Sequence, residues 1–389
     1  MNKKNQVILF IGIAIAMLGY GIALPLFPFY IEAFGGGGIQ LGLLVASYGV
    51  MQLIFAPFWG SLSDRLGRKP ILMVGMFGLG CAMFLFGWAS SLWMLYLAQA
   101  FSGALSSAML PVSMAYVSDV NHDKNQSGAM GKIGAAVGLG MILGPGVGGL
   151  LAGGALSTPF IVSGVICIFT GLLMGVALPE SLVASKRKQN LDKEDSFQIR
   201  NLYKALLSPM AFGFFTVFAV NFGKANFSSV YGLYALNRFD YGPQQVGSIL
   251  MMMSFVYLVA QGFIVGPLTS KWGEKRVIKG ALLGNGLGFL LMMAANNHIT
   301  VVLSICCFIL FNSLLKPSAL SYIARNANVS QGMAMGMAES YMSIGRIIGP
   351  LWAGMLFDIN MFYPFASGAI IFGSMFALSF VFSKQKISE

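Results

Sequence analysis

The sequence predicts an all-α integral membrane protein with twelve transmembrane helices, arranged as two six-helix halves related by a parallel repeat. Three observations support this fold class: the composition, the number of long apolar runs, and a repeat of glycine and proline positions. Of the 389 residues, 57% are hydrophobic and only 10% are charged, and the mean hydropathy is +0.76. A soluble domain has roughly 25% charged residues, so an ordinary water-soluble enzyme is excluded.

Twelve apolar runs follow one another along the chain. Each is close to the roughly 20 residues that a helix needs to cross a bilayer, and backbone groups in lipid must be hydrogen-bonded within their own segment, so each run is expected to be a helix. The first run is longer than the apolar part of a signal peptide, and we interpret it as a retained span. The runs cover approximately residues 7–31, 41–62, 71–89, 93–118, 128–152, 158–178, 210–235, 244–268, 277–296, 299–323, 333–357 and 362–383.

Lysine and arginine are concentrated on one side of the predicted spans. When the N-terminus, every second connection and the C-terminus are taken as one set, that set holds nineteen basic residues, whereas the opposite set holds only Arg238. This bias predicts a multi-pass protein of the cell membrane with both termini in the cytoplasm. It also explains the formal charge of +11 without a nucleic-acid partner.

The longest polar stretch divides the chain into two halves. It covers about residues 179–209 and contains charged runs at Lys186–Lys188 and Asp192–Asp195. We interpret it as a cytoplasmic linker between an N-terminal six-helix half, residues 1–178, and a C-terminal six-helix half, residues 210–389. A short helix on the lipid surface is the alternative for its charges.

The two halves share the positions of glycines and prolines. The matched pairs, separated by 206, 206 and 205 residues, are Gly67 with Gly273, Pro111 with Pro317, and Pro145 with Pro350. Offsets that agree within one residue for three pairs indicate an internal duplication. Two parallel repeats with a substrate site between them near the middle of the bilayer are typical of secondary transporters.

Two glycine-rich motifs connect the chain to a known family. The first is G-S-L-S-D-R-L-G-R-K, from Gly60 to Lys69, and the second is G-x-x-x-G-P-x-x-G-G, from Gly140 to Gly149. With these motifs the chain resembles the major facilitator superfamily along its whole length, and within it the twelve-span drug:proton antiporters that include bacterial multidrug and tetracycline exporters. The resemblance implies the fold of that family and a role in export.

The resemblance also implies a set of gating residues. In the family, the carboxylate of the first motif meets another helix, and a following basic residue pairs with an acid at the end of span 4; the matching residues are Asp64, Arg68 and Asp119. Span 5 has Gly144, which allows close helix packing, and Pro145, which removes a helical hydrogen bond. The alternative is that the basic residues of the first motif only enforce topology.

Apart from Lys279, which lies at the cytoplasmic edge of its run and belongs to the basic set above, five charged residues fall within the predicted spans, and such groups indicate function because they are costly in lipid. They are Lys132, Lys224, Lys316, Glu339 and Arg346, four cations and one carboxylate. A cavity containing Lys224, Lys316 and Arg346 favours anionic or zwitterionic substrates. The alternative is that Lys132 and Lys316 extend to the cytoplasmic surface and that Arg346 pairs with Glu339, 346 − 339 = 7 residues away on the same helix face.

Proton coupling needs a titratable group inside the membrane, and Glu339 is the only carboxylate well inside a predicted span. The family has an arginine in span 4 where this chain has Gln99. Coupling is therefore either rebuilt around Glu339 or driven by another gradient. Span 7 places polar residues beside aromatic rings, and we expect Asn226 and Tyr231 to line the substrate site with Lys224.

These residues lead to three functional hypotheses. The first is a secondary active exporter that moves small amphiphilic solutes out of the cytoplasm by alternating access and proton antiport, with anionic or zwitterionic substrates such as a carboxylate-rich metallophore. A general multidrug or tetracycline efflux pump and a flippase for an anionic lipid are the alternatives. No enzymatic activity, cofactor or metal is expected, because no histidine lies within a span and the cysteines lack ligand spacing. The expected partners are a small-molecule substrate, protons and the lipid bilayer, and the expected state is a monomer.

Overall fold

The computed structural model describes residues 3–120, 126–182, 210–327 and 329–384, and these residues form helices joined by short connections. Twelve helical elements, α1–α12, occupy the twelve predicted runs, which confirms the predicted fold class. Their bounds are Lys3–Ala23 with Phe27–Ala33 for α1, Gly38–Leu66 for α2, Arg68–Gly87 for α3, Leu92–Ser106 with Met109–Val120 for α4, Gln126–Leu151 for α5, Thr158–Ala177 for α6, Ala211–Phe239 for α7, Pro243–Val259 with Ala260–Ile264 and Val265–Trp272 for α8, Glu274–Ala294 for α9, His298–Arg325 for α10, Gln331–Ile359 for α11 and Tyr363–Lys384 for α12.

The lengths and compositions of the helices fit a membrane protein. Among the described residues, ten helices are long and apolar enough to cross a membrane. The other two, α7 and α11, have 29 residues each, and they contain Lys224 and the residues Glu339 and Arg346. The chain is thus a multi-pass membrane protein, and three of its five embedded charges lie on the two helices outside this group of ten.

Proline and a π-helical turn interrupt two of the spans. In α1, residues 24–26 form a turn, and Pro28 occupies the first turn of the second segment, where its missing N–H is not needed. In α8, residues Ala260–Ile264 form a π-helical turn, in which the N–H of Val265 donates to the carbonyl oxygen of Ala260. Such turns locally widen a helix and are frequent at functional sites.

The helices are grouped in two compact units. Unit 1 contains Met1–Gly36, Ser47–Asp195 and Ala235–Ser254, and unit 2 contains Gly37–Ala46, Ser196–Tyr234 and Phe255–Glu389. Each unit is mainly one six-helix half, but the first residues of α2 belong to unit 2 and the first residues of α8 belong to unit 1. The predicted linker lies largely outside the described residues, so the predicted boundaries of the halves stay a prediction.

Each unit is a bundle of packed helices. Within unit 1, α1 packs against α5 and α6, and α3 packs against α4 and α6. Within unit 2, α9 packs against α10 and α12. Aromatic rings fill the interior of unit 2, where Phe227 stacks on Phe308 with ring centroids 4.6 Å apart and Phe289 contacts both. These large apolar side chains hold α7, α9 and α10 together.

Candidate functional site

Four of the five embedded charges lie in unit 2, on three of its helices. Lys224 is on α7, Lys316 is on α10, and Glu339 and Arg346 are on α11. The positive charges of Lys316 and Arg346 act on Lys224, and the negative charge of Glu339 acts on Lys316. The structure therefore brings the three predicted substrate-binding cations and the predicted proton-coupling carboxylate into one group, which we call the charge cluster.

Arg346 and Glu339 form an ion pair within the charge cluster. Arg346 Nη2 lies 2.5 Å from Glu339 Oε1 and donates to Ser343 Oγ at 2.9 Å. The separation of seven residues is two helical turns, so both side chains lie on one face of α11. Their side chains are 41% and 55% exposed, respectively. Neither side chain of this ion pair is enclosed by the described protein.

The two lysines of the charge cluster have a different environment. In the part of the chain that the structure describes, no carboxylate forms an ion pair with Lys224 or Lys316. Lys224 Nζ instead lies 4.5 Å from the centroid of the Tyr257 ring of α8, which is a cation–π contact. The charge cluster thus contains two ammonium groups that form no ion pair with a carboxylate among the described residues.

Two residues of α8 that the sequence analysis missed extend this site. Tyr257 covers the ammonium of Lys224, and Gln261, in the π-helical turn, donates from Nε2 to Tyr257 Oη at 2.8 Å. The available signal was the amide of Gln261 in the otherwise uncharged and mostly apolar stretch Phe255–Leu268. A hydrogen-bonded pair of this kind places polar atoms next to a cation inside a membrane protein, which is a common feature of ligand sites.

Asn226 and Tyr231, the predicted lining residues of α7, are fully buried in unit 2. Asn226 Nδ2 donates to the carbonyl oxygen of Pro364 at 3.0 Å, and the ring of Tyr231 stacks on Phe227 with centroids 5.6 Å apart. These contacts are typical of a packed interior. The role of both residues in substrate binding stays a prediction.

In unit 1, three of the predicted gating residues meet at the ends of α2 and α4 and the start of α3. Arg68 Nη2 lies 2.5 Å from Asp64 Oδ1, and Arg68 Nε lies 3.0 Å from Asp119 Oδ2. Arg68 is only 6% exposed. One buried guanidinium therefore joins the two carboxylates, whereas the role of these residues as a gate stays a prediction.

Glu180, just after α6, is another residue that the sequence analysis missed. Its carboxylate oxygens accept hydrogen bonds from the backbone N–H groups of Arg68 at 2.8 Å and Lys69 at 3.2 Å, in the first turn of α3. A negative charge at this position satisfies free N–H groups and interacts favourably with the helix dipole. The turn before α3 uses Gly67, whose φ of 111° is open to glycine.

Gly144 and Pro145 of α5 lie at close contacts within unit 1. A Cβ atom at position 144 would lie 2.7 Å from Gly21 Cα and 2.8 Å from Leu18 O, both in the backbone of α1. Gly247 of α8 lies so near the carbonyl oxygen of Pro145 that a Cβ atom at position 247 would collide with this oxygen. The helices therefore approach closely at Gly144, and the role of this contact in export stays a prediction.

The second half repeats this packing. Gly349 follows Gly144 by 349 − 144 = 205 residues, and a Cβ atom there would lie 2.7 Å from the carbonyl oxygen of Phe222 of α7. The α7–α11 contact of unit 2 is thus the counterpart of the α1–α5 contact of unit 1. The internal duplication inferred from spacing is present in the packing of the helices.

Asp358, near the end of α11, makes a contact that has no counterpart in the other half, where position 358 − 205 = 153 is Gly153. Its Oδ1 and Oδ2 atoms accept hydrogen bonds from the N–H groups of Gly38 and Ile39 at 2.5 and 2.9 Å. These N–H groups lie in the first turn of α2, within unit 2. A carboxylate is therefore placed where the dipole of α2 is positive.

Membrane-spanning helices, an internal repeat and a group of embedded charges define a membrane transporter. The chain belongs to the Major Facilitator Superfamily, whose family model matches residues 9–242 and 213–387. This result confirms the resemblance drawn from the two glycine-rich motifs. Members of this family move solutes across membranes and are not enzymes.

Two relatives with known names are similar to the chain over nearly its whole length. It is 31% identical over 387 residues to Multidrug resistance protein 2 of Bacillus subtilis (strain 168), covering 99% of this chain and 96% of that protein. It is 27% identical over 392 residues to the Quinolone resistance protein NorA of Staphylococcus aureus (strain COL), covering 100% of this chain and 99% of that protein. Both relatives are bacterial proteins that are named for drug resistance.

Solved structures of other transporters share the fold. The nucleoside transporter NupG superposes with a TM-score of 0.79 at 15% identity, and the alignment covers 100% of both chains. A bacterial homologue of the human lysosomal transporter Spinster superposes with a TM-score of 0.79 at 13% identity, covering 97% of this chain and 96% of that one. At these identities the likeness shows the fold alone.

Proposed function

We propose that this protein is a secondary active exporter that moves small amphiphilic solutes with an acidic group out of the cytoplasm by alternating access. The observation that supports the proposal is the charge cluster, in which Lys224 and Lys316 form no ion pair with a carboxylate among the described residues. The proposal includes proton antiport through Glu339 and an orientation with both termini in the cytoplasm. A carboxylate-rich metallophore is one substrate of suitable chemistry.

The balance of charges favours an acidic substrate. The charge cluster has three cations and one carboxylate, a net charge of 3 − 1 = +2. Charged groups inside a membrane protein are costly unless they are paired, and a cation–π contact contributes only about 0.5–2 kcal/mol. A carboxylate or phosphate on the substrate supplies the missing partner, and Arg346 can bind it through two parallel hydrogen bonds.

Contacts within unit 1 support a role in gating for two groups of residues. Asp64, Arg68 and Asp119 form a network that the binding of another partner to Asp64 can rearrange, because Asp64 remains 36% exposed. Gly144 and Pro145 allow α5 to pack directly on the backbone of α1. We propose that the first group is a latch and that the second keeps α1 and α5 together as the transporter switches.

General drug efflux is a second candidate function, and it is favoured by the names of the two relatives, which refer to multidrug and quinolone resistance. A pump for lipophilic cations needs acidic groups in its substrate site. The charge cluster offers one, Glu339, and this carboxylate is already paired with Arg346. The chemistry of this chain therefore favours acidic substrates over lipophilic cations.

Transport into proteoliposomes under an imposed pH gradient separates the two candidates. The purified protein is tested with a lipophilic cationic dye and with a fluorophore of similar size that carries both a carboxylate and an amine. Faster proton-driven movement of this fluorophore supports the proposal, and movement of the dye alone contradicts it. Lys132→Met is the matched control, because Lys132 is an exposed cation at the start of α5 and its loss should leave both rates unchanged.

A further inference from the structure

We infer, on the basis of the proposed function, that the substrate is a zwitterion, with an acidic group that neutralises Lys224 and Lys316 and a cationic group that binds Glu339. Two observations support this narrower substrate class. The two lysines form no ion pair with a carboxylate in the described chain, and Glu339 is held by a single ion pair to Arg346 with more than half of its side chain exposed. One site thus offers unpaired positive charge beside an accessible carboxylate.

Antiport demands that the proton and the substrate exclude each other from a shared site. Binding linkage is reciprocal, so a substrate whose affinity falls when the site is protonated must release a proton when it binds. In the proposed function the proton binds Glu339. The substrate must therefore bind less tightly when Glu339 is protonated.

A purely anionic substrate would bind more tightly, not less tightly, when Glu339 is protonated. Protonation of Glu339 raises the net charge of the charge cluster from +2 to +3 and frees Arg346 from its ion pair. Both changes strengthen the binding of an anion, because the attraction grows and a guanidinium becomes available. The proton and the anion would bind together, and an inward proton gradient would then drive uptake rather than export.

A purely cationic substrate competes with the proton for Glu339, but it is repelled by the three cations of the charge cluster. A zwitterion can both compete with the proton for Glu339 and be attracted by the cations of the charge cluster. Its acidic group neutralises the lysines, while its cationic group takes the place of Arg346 beside Glu339 and so excludes the proton. Competition at Glu339 together with attraction at the lysines gives coupled export.

The other groups around Glu339 are compatible with this competition. Its own helix contributes Arg346, and α10 contributes Lys316. Lys224 of α7 interacts with these two cations. The residues of α12 up to Phe380, and Gly37–Ala46 of α2, have no charged side chain. Lys224 Nζ lies 4.5 Å from the centroid of the Tyr257 ring of α8, which is a neutral contact and does not replace an acidic partner. Within the charge cluster, the proton and the cationic group of the substrate thus compete for the carboxylate of Glu339.

Three probes that share a naphthalene ring test the inference: naphthylalanine is a zwitterion, naphthylpropanoate is an anion and naphthylethylamine is a cation. Binding to the full-length protein in lipid nanodiscs is measured by calorimetry over the pH range in which the probes keep their charges. Buffers of different ionisation enthalpy allow the exchanged protons to be counted. Naphthylalanine should release up to about one proton and gain up to about tenfold in affinity per pH unit as Glu339 ionises, whereas naphthylpropanoate should take up protons and bind more weakly.

The variant Glu339→Gln assigns the exchange to this carboxylate. It should abolish proton exchange, weaken the binding of naphthylalanine and preserve or strengthen that of naphthylpropanoate, which also shows that the variant is folded. The matched control is Glu32→Gln, because Glu32 is an exposed carboxylate of α1 in unit 1 and its loss should leave the pH dependence unchanged. Release of protons by the anion, or a zwitterion that binds no better than the anion, overturns the inference.

Transport of the same probes distinguishes a failure of the inference from a failure of the proposed function. In proteoliposomes with a pH gradient, the absence of proton-driven export of both the zwitterion and the anion contradicts the proposed exporter. Proton-driven export of the anion alone is consistent with the proposed exporter but contradicts the inference that the substrate is a zwitterion. Proton-driven export of the zwitterion, lost in Glu339→Gln, supports both.

Discussion

Glu274 and Arg325 form an ion pair in unit 2, with Glu274 Oε1 3.1 Å from Arg325 Nε. They follow Arg68 and Asp119 by 274 − 68 = 206 and 325 − 119 = 206 residues, which is the offset of the internal repeat. The ion pair therefore occurs in both halves with its charges exchanged. In each half, an ion pair thus joins the start of the third helix to the end of the fourth helix. Which of the two helices carries the positive charge differs between the halves.

The two ion pairs should differ in their contribution to stability. The side chain of Arg68 is 7% exposed and contacts two carboxylates, whereas that of Arg325 is 72% exposed. Removing one partner of a buried ion pair costs about 3–5 kcal/mol, but the loss of an exposed pair costs about 0–1 kcal/mol. Thermal unfolding in detergent should therefore show a clear fall in Tm for Arg68→Met and little change for Arg325→Met. Equal shifts would show that the buried ion pair is not special.

Asp64→Asn should cripple transport and leave folding and membrane insertion largely intact, because Asp119 still pairs with the buried Arg68. The substitution keeps the size of the side chain but removes the charge that pairs with Arg68 and that the proposed latch requires. Transport is measured in proteoliposomes beside the amount of monodisperse protein, with Glu32→Gln as the control for loss of an exposed acid. Normal transport by well-expressed protein would remove the latch from the mechanism.

Gly144→Ala should destabilise unit 1, and Gly144→Leu should do so more strongly. A single Cβ atom at this position meets the backbone of α1 at 2.7 Å, and backbone atoms cannot move aside as a flexible side chain can. The control on the same helix is Gly134→Ala, because a Cβ atom there has no neighbour within 4 Å and alanine favours the helix by about 1 kcal/mol. The two variants should therefore shift the Tm in opposite directions; a shift in the same direction would contradict the close packing.

Lys224→Met should raise the concentration of acidic substrates needed for half-maximal transport by about 10- to 100-fold. The reason is the loss of one charge-assisted contact, which costs about 1.5–3 kcal/mol. Uptake of lipophilic cations should be spared or improved, because one repelling charge is removed. Unchanged transport of acidic solutes, or the loss of all substrates alike, would instead assign Lys224 a structural or coupling role.

Asp358→Asn should lower the stability of unit 2 by about 0.5–2 kcal/mol, the range for capping and charge–dipole contacts at a helix N-terminus. The carboxylate bridges the N–H groups of Gly38 and Ile39, and asparagine has only one acceptor oxygen and no charge. The control is Asp240→Asn, because Asp240 is exposed and has a φ of 54°, which asparagine tolerates. A Tm shift no larger than that of the control would show that the contact adds no stability.

Sequence reasoning was most successful for properties that depend on short stretches of chain. The number and approximate limits of the helices, the internal repeat and the family follow from hydropathy and spacing, because an apolar segment of about 20 residues must be helical wherever it crosses a bilayer. The pairing of Arg346 with Glu339 was also foreseen as one alternative, since seven residues return to the same helix face. All of these properties are local or periodic.

The tertiary structure decided which embedded charges are paired and which are not. Glu180 reaches the first turn of α3, Tyr257 covers Lys224, and Asp358 binds the first turn of α2 some 320 residues earlier in the chain. Such contacts depend on how far each helix is rotated about its axis and how deeply it sits against its neighbours. Rotation and depth are set by the packing of helices that are distant in sequence, because a side chain on a helix can face any direction until its neighbours are in place.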